Sequence, residues 1–262
     1  MIVIQPRWPN GAESHSCSSN SLFTMTSSLH PDERERLQAQ NTELATLAGG
    51  LAHEIRNPLS TIRMNLELLA EDLGDSGASN AHRMLERVAK LQSECLNLEG
   101  VLNEFLQFAR AGQLDLTECS LNDVVAEFLD FLTAQAEEQN VELRPHLDAN
   151  LPLARLDKSL LRQVLSNLAR NALQAMPKGG TLEFLTMVRD SDIAFEVIDT
   201  GEGMSETTVA KMFQAFFSTR SGGSGLGLPT VRRIIEAHGG SISCESAPGN
   251  GTRFTILLPR SA

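Results

Sequence analysis

From Met84 to Phe105 the apolar residues fall at alternating steps of four and three: Met84, Val88, Leu91, Cys95, Leu98, Leu102, Phe105. That spacing is the heptad repeat of a coiled coil, a seam that another helix must cover. Upstream, Leu37, Leu44, Ala48, Leu51, Ile55, Leu59, Ile62, Leu66, Leu69 and Leu73 recur at steps of three, four or seven. GDSGAS, Gly74 to Ser79, separates the two runs. A loop that short joins antiparallel neighbours, so the spacing predicts a helical hairpin over residues 31–112. Two helices alone cannot cover a seam of this length. A homodimer forming a four-helix bundle is therefore expected. Packing of the seam against the C-terminal part of the same chain is the alternative.

The rest of the chain differs in character. Residues 1–30 lack periodicity and are rich in serine, which predicts a disordered arm. Residues 113–262 predict clustered helices and strands. SLND, Ser120 to Asp123, resembles a capping box opening a helix to about Gln139. A strand at VELRPHLD, a helix from Asp157 to Met176, and a strand pair at TLEFLTMVRD and IAFEVIDT follow. A helix at Pro229 to His238 and strands at SISCES and GTRFTILLP close the chain. This order points to an α+β sandwich, one mixed sheet under a helical layer. A net charge of −11 disfavours a nucleic-acid partner. The four cysteines, Cys17, Cys95, Cys119 and Cys244, form no CxxC pair and read as reduced thiols. No apolar run approaches the ~20 residues of a membrane span, and the start, MIVIQPRWPNG, lacks the basic segment of a signal peptide. A soluble, cytoplasmic protein is expected.

HEIRNP, His53 to Pro58, departs from an ordinary helix pattern. His53 lies two residues after Leu51 and two before Ile55, so it points off the apolar stripe. Glu54 adjoins it, and Asn57 lies one turn on. A solvated imidazole beside a carboxylate that takes or orients its proton is a candidate nucleophile. Pro58 removes a helix hydrogen bond and frees the Glu54 carbonyl, a bend that could expose or hide the histidine. Alone, these residues also fit a surface histidine beside a kink.

Four stretches near the C-terminus carry further chemistry. In NLARNALQA, Asn167 and Asn171 share a helix face and could ligate Mg²⁺ or orient its waters; polar surface residues are the alternative. In DTGEGM, Asp199 can accept a hydrogen bond from an exocyclic amine, while Gly201 and Gly203 let backbone approach a flat ring; a simple turn also fits. MFQAFFSTRSGG reads as a lid anchored by Phe213, Phe216 and Phe217, with Arg220 as its phosphate-seeking cation, or as a core-anchored surface loop. GSGLGL, Gly223 to Leu228, leads into a helix N-terminus, an anion site for phosphates. No strand precedes it to make a dinucleotide fingerprint, and no Walker sequence exists in the chain.

HEIRNP, NLARNA, DTGEG, FQAFFSTR and GLGLP, in that order, resemble the H, N, G1, F and G2 boxes of sensor histidine kinases of two-component systems. The likeness runs from about Leu37 to Leu258 and is most similar to the nitrogen-regulation type. It implies a phosphoacceptor and dimerisation hairpin of the HisKA type, followed by an ATP-binding sandwich of the GHKL (Bergerat) type shared with gyrase and the heat-shock chaperone. By the same resemblance His53 is the phosphoacceptor, Glu54 its acid/base partner, and Asn57 the residue that positions water for dephosphorylating a partner. ATP and Mg²⁺ are the implied cofactors. Asn171 would hold Mg²⁺ with Asn167 beside it, and Asp199 would bind the adenine amine. Gly201, Gly203, Gly225, Leu226 and Gly227 would shape pocket and lid, Arg220 would meet phosphate, and Thr252 would line the adenine site through water. Relatives that hydrolyse ATP carry a glutamate where this chain has Asn167. An amide cannot activate water as a base, so the γ-phosphate is kept for the histidine. The implied activity is autophosphorylation on His53 and transfer to an aspartate in the receiver domain of a response regulator, with phosphatase activity towards that regulator. Its signal would come from a trans-acting sensor protein, from the arm, or from none. A phosphatase-dominated regulator, a non-catalytic ATP-binding scaffold and an anti-sigma type of serine kinase are the rival readings.

Overall fold

The computed structural model describes residues 50–52, 54–69, 71–72, 80–112, 114–220 and 223–260. All belong to one compact unit, Gly49–Ala262. His53, the arm over residues 1–30, the upstream seam residues Leu37, Leu44 and Ala48, Leu73, and the loop Gly74 to Ser79 lie outside the described residues.

Residues 54–69 form helix α1, with Pro58 buried inside it. Around the proline, the Ser60 hydroxyl donates to the Arg56 carbonyl at 2.9 Å and the Thr61 hydroxyl to the Asn57 carbonyl at 3.4 Å. Such hydroxyl back-bonding accompanies bends in helices. Helix α2, Asn80–Arg110, is 31 residues long. Arg87 on α2 donates to Asp72, at the end of the first helical stretch, at 2.7 Å, with both side chains largely buried. The seam is only partly covered within one chain: Leu59, Leu66, Val88 and Leu102 are exposed, while Ile55, Ile62, Leu69, Met84, Leu91, Leu98 and Phe105 are half-buried. A different stripe of α2 is buried. Val101 and Phe108 are covered, and the Arg233 guanidinium lies 5.0 Å above the Phe108 ring.

The remainder is the expected α+β sandwich. Strand β1 (Thr117–Cys119) leads to helix α3 (Leu121–Glu138), strand β2 (Val141–Leu147), strand β3 (Ala154–Leu156) and helix α4 (Lys158–Ala175). Strands β4 (Gly180–Arg189) and β5 (Asp192–Asp199), helices α5 (Glu206–Val209) and α6 (Gly227–Ala237), and strands β6 (Ser241–Ser246) and β7 (Thr252–Pro259) complete it. Ser120 caps α3, its hydroxyl accepting the Asp123 N–H at 3.2 Å, as the SLND motif predicts. The main sheet runs β2-β4-β5-β7-β6, with β2 and β4 parallel and the other neighbours antiparallel. One face of each inner strand is buried, by the two-residue period of a strand: Leu182 and Phe184 on β4, Phe195 and Val197 on β5, Phe254, Ile256 and Leu258 on β7. The apolar stripes of α3, α4 and α6 cover that face through Val125, Leu165, Leu168, Ile234 and Ile235, among others. A separate two-stranded ribbon, β1 against β3, was not anticipated by the sequence pattern.

Candidate nucleotide site

Helix α4 buries Leu161, Val164, Leu165, Leu168 and Ala172 and so turns Asn171 and Gln174 outward. Its start is fixed by Asp157, whose side chain accepts the N–H groups of Leu160 at 3.0 Å and Asp115 at 2.9 Å. The register of β5 on β7 does the second positioning step. It sets Asp199 directly opposite Thr252, residues 53 positions apart in sequence. Gly-rich backbone then closes the space. Gly203 has φ +65°, and a Cβ there would lie 2.0 Å from the Ala247 carbonyl oxygen. Gly225 has φ +68°, with a Cβ position 2.6 Å from the backbone of Phe216. Both conformations and both contacts require glycine.

These elements enclose a cavity of about 490 Å³. Asn171, Asp199, Gly203, Arg220, Gly225, Gly227 and Thr252 all line it, so four separate motifs meet in one place. Asp199 is 6% exposed, and its Oδ1 accepts the Gly201 N–H at 2.8 Å. Burial pushes its carboxyl above the ordinary aspartate value, against the opposing pull of the Gly201 and Thr252 N–H groups and of Arg220. Burial, with Asp199 and Glu245 nearby, pushes the Cys244 thiol up to about 12. Cys95, Cys119 and Cys244 are free thiols.

Three expected site residues stand back from the cavity wall. Asn167 is 7% exposed, and its oxygen accepts from Arg170 Nη2 at 3.0 Å. Leu226 is fully buried in the core and reaches the lid segment through its backbone N–H alone, which donates to the Ser224 hydroxyl at 3.1 Å. Gly201 serves the pocket through that N–H to Asp199. Arg220 is anchored instead of loose. Its Nη1 donates to Gln174 Oε1 at 2.6 Å and its Nη2 to the Asn171 carbonyl at 3.4 Å. On the hairpin, Glu54 is half-buried and Asn57 exposed. Gly50 packs under the Phe216 ring, where a Cβ would come within 2.2 Å of a ring carbon.

The sequence pattern missed Gln174, Arg170, Ser224 and, on α2, Leu96, Asn97, Gly100, Val101 and Glu104, all of which line the cavity. A hairpin helix is thus one wall of the candidate nucleotide site.

Two family models match this chain. Residues 43–114 match the His Kinase A (phospho-acceptor) domain. Residues 156–262 match the histidine kinase-, DNA gyrase B- and HSP90-like ATPase. Together the two matches take in more than half of the chain. This chain belongs to the histidine kinases. The sensor histidine kinase ZraS of Salmonella typhimurium is 36% identical over 214 residues, which are 81% of this chain and 45% of that kinase. Among solved structures, histidine kinase ThkA in complex with response regulator protein TrrA superposes with a TM-score of 0.68 at 25% identity, over 88% of this chain and 66% of that one. Full-length ShkA in complex with AMPPNP gives 0.60 at 28% identity, over 83% of this chain and 46% of that one. The histidine kinase fold and the α+β ATPase sandwich expected from the sequence are therefore those of the molecule. The chain spans less than half the length of the curated relatives it matches. No helix among the described residues is long and apolar enough to cross a membrane.

Proposed function

We propose that this histidine kinase binds ATP in the cavity between α4, β5 and the glycine-rich segment, phosphorylates itself on His53, and passes the phosphoryl group to an aspartate in a response regulator's receiver domain. The observation that carries the proposal is the convergence of Asn171, Asp199, Arg220, Gly225 and Thr252 on one cavity with a hairpin helix as its wall. We assign residues 31–112 to the dimerisation and phosphotransfer hairpin and 113–262 to the ATP-binding half, and we place the protein in the cytoplasm as a homodimer.

Asp199 is the acceptor in this reading for the adenine amine, and its position opposite Thr252 across the β5–β7 pair supports it. Arg220 is the cation for the triphosphate end, once it leaves Gln174 and the Asn171 carbonyl. The Asn171 carboxamide lines the cavity and has no hydrogen-bond partner among the described residues, whereas the Asn167 oxygen is taken by Arg170. Asn171 therefore fits Mg²⁺, a hard cation that takes one or two protein oxygens and fills its remaining positions from phosphate and water. When bound, Mg²⁺ supplies charge neutralisation on the phosphate chain. A His53 ring nitrogen attacks the γ-phosphorus, the bond to the β–γ bridging oxygen breaks, ADP leaves, and the displaced ring proton passes to Glu54. Exposed Asn57, one turn on, supports water-mediated dephosphorylation of the regulator.

The test is labelling with γ-labelled ATP. His53→Gln is expected to abolish acid-labile label while nucleotide affinity stays within about twofold of wild type. Acid-labile label persisting in that variant overturns the assignment.

A further inference from the structure

Glu104, on α2, lines the nucleotide cavity. One carboxylate oxygen accepts from Arg170 Nη1 at 2.9 Å, and the other accepts from the Ser224 hydroxyl. Ser224 is 8% exposed, and its oxygen in turn accepts the Leu226 N–H, at the N-cap of α6. The second Arg170 nitrogen, Nη2, lies 3.6 Å from the position a Gly227 Cβ would take. No side chain of α6 caps its own first turn. One guanidinium, one buried hydroxyl and the start of an eleven-residue helix therefore converge on one place. All three are groups that select anions. The anion found there is a carboxylate from the hairpin.

That place belongs to the nucleotide cavity. Glu104, Arg170, Ser224 and Gly227 line it together with Asn171 and Arg220. A nucleotide whose base is held at Asp199 extends its phosphates towards the glycine-rich segment, and so towards Glu104. We infer that Glu104 is a built-in competitor for those phosphates, seated between Arg170 and Ser224 until a nucleoside di- or triphosphate displaces it. This rests on the ATP reading of the cavity. A carboxylate and a phosphate cannot both hold one guanidinium and one hydroxyl, and in a partly desolvated pocket their repulsion is not screened away. Phosphate binding thus detaches α2 from α4 and α6. By thermodynamic reciprocity, docking of α2 lowers the affinity for every ligand that carries the phosphates. Adenosine, which has none, is indifferent to Glu104. The consequence for the kinase is a link between filling the pocket and freeing the hairpin that bears His53.

The experiment compares wild type with Glu104→Gln in the full chain, by calorimetric titration with ATP, ADP and adenosine. The variant is expected to bind ATP and ADP about three- to tenfold more tightly, with adenosine affinity unchanged. Glu104→Ala must give the same ordering, which excludes a new phosphate contact from the glutamine amide. Amide exchange over residues 96–106 should quicken on ATP addition in wild type and be already fast in both variants. Equal ATP affinities in all three proteins overturn the inference alone. A gain shared equally by adenosine also overturns it, because that marks a pocket merely loosened. If none of the three proteins binds any nucleotide, the ATP reading itself falls, and this inference with it.

Discussion

Asp199 illustrates how a single cavity-lining residue is held at a cost to stability. Its carboxyl is raised by burial, with Gly201 and Thr252 N–H groups and Arg220 pulling the other way. A carboxyl whose folded value is raised stabilises the fold fully only below its unfolded value, and that contribution is lost as pH rises through the folded one. At neutral pH the ionised Asp199 is therefore a net burden on folding. Asp199→Asn should melt a few degrees higher than wild type at about pH 7, and the gap should shrink as pH falls towards about 4. The same variant should lose at least about tenfold in adenosine affinity, because an amide can turn its donor where the acceptor was. Thermal melts across that pH range and adenosine titration check both halves. That Asp199, Asn171 and Arg220 share one cavity was legible in the sequence because each sits in a short run with a distinct local pattern. Glu104 was not. It lies outside the heptad seam, where a charged residue reads as solvated surface, and its partners Arg170 and Ser224 are 66 and 120 positions away. Nothing local to Glu104 encodes that contact.

The elements meet at a second buried junction, which sets the start of α4 and hence the height of Asn171. His238, 7% exposed at the end of α6, accepts the Asp157 N–H on Nε2 at 3.0 Å and donates from Nδ1 to the Ile234 carbonyl at 2.8 Å. One ring thus joins the last turn of α6 to the N-cap of α4. Burial raises the Asp157 carboxyl, but the N–H groups of Asp115, Leu160 and Ser159 outweigh it and hold it below the usual aspartate value. A depressed carboxyl contributes stability that is present above its unfolded value and lost as pH falls through the folded one. Asp157→Ala should cost about 1–2 kcal/mol at neutral pH, from the lost cap and the unpaired Asp115 N–H. Denaturant melts should show the gap narrowing below about pH 4. The cap itself was legible, since an aspartate before an apolar helical pattern marks a start. The histidine was not, because its partner is 81 positions away. The β1–β3 ribbon escaped notice for a related reason: three residues per strand are too few for a period of two to show.

At the scale of the molecule, α2 has two working faces. Val101, Glu104 and Phe108 turn towards the ATP-binding half, while the heptad positions Val88 and Leu102 stay exposed, as do Leu59 and Leu66 on α1. The alternative raised by the sequence, that the seam packs on the C-terminal half of the same chain, is not what these contacts do. The buried contacts use a neighbouring stripe, Val101 and Phe108, and leave seam positions such as Leu59, Leu66, Val88 and Leu102 exposed. An apolar stripe of that length, left in water, would forgo about 1.5–3 kcal/mol for each large side chain that burial could cover. On the proposed homodimer reading, a second copy of the hairpin supplies the cover with matched geometry, because both copies carry the same repeat. The two faces should therefore separate by mutation. Leu66→Lys paired with Val88→Lys places like charges in the seam, and neither residue lines the cavity. By light scattering, wild type should have the mass of two chains and the double variant that of one. Nucleotide affinity should remain within about twofold in both, since the pocket wall comes from the other face of α2. The wild-type melting temperature should rise with protein concentration, as mass action requires of a dimer, and that of the variant should not. A double variant that still runs at the mass of two chains would show that the seam is not the surface through which two copies meet.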